Sequence, residues 1–200
     1  MLAKLAKMPV SLTIMLVWIV IWVLVVSTDR VFPALCGKGI SVINGQYYRF
    51  FTAGLTHKHA IHMLANVCGM FWIGFLYESR VGSLRYLLVG VVCAVLCAIL
   101  YLTVYKTTTG SYGGSSYTFA LLGFGLTMQL LVPGFPKLKP GTWSGNWLII
   151  YRIAGNIPHL PIMDRLTFLP FVDLATILFH AVAFVLGALA ALGLWLLGMR

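Results

Sequence analysis

A hydroxyl and an imidazole are the smallest pair of side chains that can make an activated nucleophile, and this chain of 200 residues carries both inside long apolar stretches. The hydroxyl belongs to the run Gly113-Gly114-Ser115-Ser116, and the imidazole is His180, alone in the last apolar stretch. A third stretch holds His62 and Asn66, four residues apart, which a helix turns to one side. Polar and ionisable side chains at bilayer depth are costly and mark function. Ser115 as nucleophile, His180 as base, and His62 and Asn66 as N–H donors to a tetrahedral oxyanion would together support hydrolysis inside a membrane.

Each group also has a plainer reading. Ser115 alone is an ordinary helix N-cap, with Ser111 and Ser116 as neighbouring competitors. The preceding glycines let the backbone turn sharply, and the N–H groups and dipole of a helix start can hold an oxyanion. His180 lies about six residues, or roughly 9 Å, into its span. It shares a face with Ala183, Gly187 and Ala191, a small-residue surface that admits a second helix closely; by itself it could be a packing histidine. His62 and Asn66 could be an interhelical hydrogen bond. The run His57-x-His59-x-x-His62 could hold a metal, but no carboxylate or cysteine joins it. No metal or other cofactor is expected.

The elements that must position these groups follow from composition. The chain is 60% hydrophobic and 9% charged, more apolar surface than a soluble domain of this length could hide. Span-length apolar stretches run over residues 9–27, 60–77, 86–105, 117–132 and 174–198, with a weaker sixth over 147–163, interrupted by Arg152 and Pro158. The fold class expected is an all-α membrane protein, with residues 1–200 forming a single domain and no appended soluble domain. Lys4 and Lys7 precede an uninterrupted apolar run, read as a retained signal-anchor helix.

The net charge of +10 points to anionic lipid headgroups; no nucleic-acid motif is visible. Short connections carrying Arg80, Arg85, Lys137 and Lys139 are denser in positive charge than the opposite side, which places both termini inside. Trp18, Tyr48, Tyr77 and Tyr101 read as an interfacial belt. The connection over 28–58 is long, has no strand or helix pattern of its own, and is expected to be functional or partly embedded. The four cysteines form no disulfide framework.

At this point the residues resemble a known family. Tyr48-Arg49-Phe50-Phe51-Thr52, His57, His62-x-x-x-Asn66, Gly74, Glu78-x-Arg80-x-Gly82-Ser83 and Gly113-x-Ser115 with Phe119-Ala120-Leu121-Leu122-Gly123 are similar to the rhomboid intramembrane serine proteases, in order and spacing. His180 and Gly187 continue the match in the last span. The resemblance implies a six-transmembrane-helix rhomboid bundle and a Ser115–His180 dyad. Its oxyanion residues fall on His62, Asn66 and the Ser115 backbone, with Gly113, Phe119, Ala183 and Gly187 in support. Glu78 and Arg80 would tie the inner connection together. Ser116, Ala183 and Tyr48 depart from the family pattern of Gly, Gly and Trp; Ala183 should hold the fourth and sixth helices slightly apart.

The expected function is an intramembrane serine endopeptidase, in a membrane of the bacterial cytoplasmic type, acting on transmembrane segments of other proteins near their outer ends. No carboxylate is placed to orient His180, and stacking on Phe119 could hold it instead. Cleavage should fall as acid protonates the imidazole. The main competitor is a catalytically inactive rhomboid-like protein that binds membrane clients; a transporter is a remoter one, lacking intramembrane carboxylates or inverted repeats. The substrate and the oligomeric state are not legible in the sequence.

Overall fold

A computed structural model describes residues 2–105, 111–154 and 174–199. After a short helix α1 (Leu2–Leu5), the long helices are α2 (Pro9–Ser27), α6 (Ala60–Val81), α7 (Ser83–Tyr105), α8 (Ser115–Leu131), α9 (Trp143–Ala154) and α10 (Leu174–Leu196). Between α2 and α6 lie α3 (Val31–Leu35), α4 (Gly39–Ile43), α5 (Arg49–Thr52) and a 3-10 turn, Ala53–Leu55. Helices α2, α6, α7 and α10 are long and apolar enough to cross a bilayer.

Helix α8 is the axis of the bundle. It has 17 residues, twelve of them buried, including every residue from Ser115 to Gly125, and it packs on α6, α7 and α10. Such a helix is apolar all round because protein, rather than lipid, surrounds it. Helix α2 packs on α6 and α7, and α9 packs on α6. The weak sixth stretch begins four residues earlier than its hydropathy indicates, at Trp143; its second half, with Pro158, lies outside the described residues, as do residues 106–110.

Three expectations change. The connection over 28–58 does have local structure, and Arg49 is its centre. The Arg49 side chain is buried and donates to the Gln46 side chain (2.6 Å) and to the carbonyls of Pro33 (2.9 Å) and Cys36. Thr52 Oγ1 donates to the Leu35 carbonyl at 2.8 Å. A guanidinium has enough donors to close several turns at once, so the short helices fold around it without needing hydropathy of their own. Second, Trp18 and Tyr77 do not belong to an interfacial belt: both are buried in the main core. Each spends its polar atom inside the bundle, Trp18 on the Gly54 carbonyl (3.1 Å) and Tyr77 on Gln129.

Third, Glu78 binds helix α2 as well as Ser83 of the inner connection, while Arg80 is exposed. The Glu78 carboxylate is fully buried and accepts from the N–H groups of Val10 and Ser11 (both 2.8 Å) and the hydroxyls of Ser11 (2.6 Å) and Ser83 (2.9 Å). It thereby caps the first turn of α2, where free N–H groups and the helix dipole favour a negative charge. Glu78→Ala would strip these donors of their acceptor in a buried site. The expected loss is about 3 kcal/mol or more, read as a lower midpoint of thermal unfolding in detergent. A midpoint unchanged from wild type would mean the cap contributes nothing.

Candidate active site

The backbone ahead of Ser115 is held from outside by the first connection. Gly37 and Ser111 exchange two backbone hydrogen bonds (2.8 and 2.7 Å), Gly113 N–H donates to the Ala53 carbonyl (3.1 Å), and Gly114 N–H donates to Nε2 of His57 (3.1 Å). Gly113 sits at φ +112°, a conformation that side chains resist. A Cβ there would also collide with the His62 ring on its Cε1–Nε2 edge. This glycine is therefore required twice over, by its dihedral angle and by the imidazole lying against it.

Helix α8 starts at Ser115 with Gly114 as its cap. Among the described residues the N–H groups of Ser115, Ser116 and Tyr117 make no backbone hydrogen bond, the first to do so being Thr118 N–H to Gly114. These orphan donors and the dipole of α8 make the turn electropositive. The Ser115 side chain is buried, and so is Ser116 beside it.

His180 comes to the same place from α10. Its ring stacks on Phe119, with centroids 4.2 Å apart and planes within 7°. Phe119 lies one helical turn beyond Ser115, on the same side of α8. Helices α8 and α10 approach through small residues. A Cβ on Gly187 would strike the Ala120 backbone carbonyl, and a Cβ on Gly123 would strike that of Phe184. Ala183 is fully buried against Cys97 and Phe119, so it fits at the crossing while the tightest contact falls on Gly187. Cys97 Sγ also donates to the Phe179 carbonyl at 3.3 Å, joining α7 to the turn of α10 that carries His180.

Asn66 is fully buried, and its Nδ2 donates to the His62 carbonyl at 2.9 Å. His59, the residue before α6, is exposed. His57 turns inward and is fully buried; no group of three His, Cys, Asp or Glu side chains gathers among the described residues.

Sequence reasoning missed two organisers of this site. Trp18 lies edge-on to His57 at 5.5 Å and occupies the space beside Gly114 that a side chain would need. Its signal was position: it is the tenth residue of α2, in the middle of a span rather than at an interface. His57 fixes the turn through Gly114, and its only sequence signal was proximity to His62.

Burial, and secondarily the neighbouring His62, lowers the His57 pKa from 6.5 to about 3. Between those values the unfolded chain takes up a proton that the folded one refuses. The contribution to stability is therefore whole above pH 6.5 and is lost as pH falls toward 3. Thermal unfolding from pH 8 to pH 4 should show a falling midpoint in wild type and a flatter profile in His57→Asn; parallel profiles would exclude His57 as the source.

An apolar cavity of about 290 Å³ lies between α2, α7 and the 3-10 turn, with Ser111, Gly113, Ser116 and Tyr117 among its lining residues. Ser116 faces this cavity, whereas Ser115 does not line it.

Residues 44–197 match the profile of the Rhomboid domain. The Rhomboid protease GlpG of Enterobacter sp. (strain 638) is 27% identical over 119 residues, covering 58% of this chain and 42% of that protein. The match thus spans less than half the length of this curated relative.

Proposed function

The chain belongs to the rhomboid family and is an integral, multi-pass membrane protein, and from that premise we propose that it is an intramembrane serine endopeptidase. In this reading Ser115 attacks the substrate carbonyl, and neutral His180 accepts the hydroxyl proton. His180 then protonates the leaving amine, and a water deprotonated by His180 releases the acyl-enzyme. His62, Asn66 and the Ser115 N–H hold the oxyanion. The proposed architecture is a single domain of six crossings with both termini inside, in a bacterial cytoplasmic membrane. Substrates are transmembrane segments of other proteins, opened near their outer ends.

The observation that carries this reading is the stacking of His180 on Phe119, one turn from Ser115, across two closely packed helices. A flat aromatic contact fixes the plane of the imidazole, the task that a carboxylate has in a triad. The same contact favours Ser115 over Ser116, whose side lines the apolar cavity instead.

Labelling of the purified protein with a fluorescent fluorophosphonate tests it. Wild type and Ser116→Ala should label, and Ser115→Ala and His180→Ala should not. A folded wild type that fails to label would instead indicate a client-binding protein without catalysis.

A further inference from the structure

Two imidazoles behind the serine turn are left with unpaired nitrogens, and their pairing assigns a task to His57. A neutral imidazole has one N–H and one lone pair. Nε2 of His57 accepts from Gly114 N–H, so the single proton of His57 resides on Nδ1. That Nδ1 is buried and has no partner among the described residues, and the same is true of Nδ1 of His62. The two rings lie 5.2 Å apart at an interplanar angle of 76°. A buried donor and a buried acceptor left unsatisfied would each cost stability, and a water with two such partners satisfies both.

We propose that His57 is a positioning residue that sets the tautomer of His62. Its Nδ1–H donates, through one buried water, to Nδ1 of His62, so the His62 proton resides on Nε2. The Cε1–Nε2 edge of His62 is the one that lies against Gly113, so this tautomer aims an N–H at the turn leading into Ser115. The opposite tautomer would present a lone pair there and repel an oxyanion. The inference rests on the proposed hydrolytic role of that turn. It adds that the donor's polarity is imposed from the first connection, through Gly114 and His57.

Two variants separate the tasks of the two His57 nitrogens. The amide of Asn reaches the position of Nδ1, and that of Gln reaches the position of Nε2. His57→Asn therefore keeps a donor toward His62 and loses the Gly114 contact, while His57→Gln does the reverse. Fluorophosphonate inactivation should give a kinact about tenfold lower for His57→Gln than for His57→Asn, with KI nearly unchanged between the two. Nitrogen-15 NMR of histidine-labelled protein should show His62 protonated on Nε2 in wild type and His57→Asn, and a tautomer mixture in His57→Gln.

The reverse pattern, with Gln active and Asn not, would mean that His57 acts only by anchoring Gly114, and would overturn the proposal. So would wild-type His62 protonated on Nδ1, a result read by NMR even if both variants fail to fold. A wild type that does not react with fluorophosphonate would sink the hydrolytic reading, while the tautomer would still be measured.

Discussion

Ser115→Ala is expected to lower peptide-bond hydrolysis by about 10⁴-fold or more, with His180→Ala as damaging and the double variant hardly worse than either. The non-additivity is physical: once the base has nothing to deprotonate, or the hydroxyl has no base, the other partner contributes nothing. Ser116→Ala should stay within about tenfold of wild type, because its neighbours are the walls of an apolar cavity rather than the His180 stack. Turnover of a single-span reporter peptide with Gly, Ala and Ser near its outer end would measure all four proteins. Activity retained in Ser115→Ala but lost in Ser116→Ala would shift the nucleophile by one residue.

The second large effect is expected from Gly187→Val, a change remote from any reacting atom. A side chain at Gly187 meets the Ala120 backbone carbonyl, which cannot rotate away as a flexible side chain could. Helices α8 and α10 must separate, and overpacking of this kind costs about 1–3 kcal/mol. The consequence for the site is larger than that for the fold. His180 and Gly187 are on one face of α10, so the displacement moves the imidazole relative to Phe119 and Ser115. A misplacement of roughly 1 Å can cost about 100-fold in rate. Turnover should therefore fall about 100-fold while the protein still folds, a drop out of proportion to the shift in unfolding midpoint. Wild-type turnover in a folded Gly187→Val protein would mean that this crossing does not position the site.

Much of the candidate site was legible because its proposed members carry signals that do not depend on neighbours. Ser115 follows two glycines, His62 and Asn66 share a helical period, and His180 is the sole imidazole of its span with Gly187 two turns on. The stack of His180 on Phe119 was also foreseeable, since the sequence puts no carboxylate in the helices that carry Ser115 and His180. Span positions 9–27 and 174–198 agree with α2 and α10 to within two residues, because a long apolar run in a bilayer has only helix available to satisfy its backbone.

What the sequence could not disclose is which polar group meets which. Glu78 and the first turn of α2 are 67 residues apart in the chain for their closest contact, and nothing in either segment names the other. The short helices of the first connection form around Arg49 through contacts to carbonyls, which every residue type offers equally. Trp18 is one more apolar residue in α2 until its indole is seen against Gly54 and His57. Composition and local spacing determined that this chain crosses a membrane by helices and which side chains could do chemistry there. The tertiary structure decided how the first connection grips the serine turn, which helices approach through Gly123 and Gly187, and which nitrogen of His57 meets Gly114. Those are matters of pairing across space, and hydropathy and helical periodicity are properties of one segment at a time.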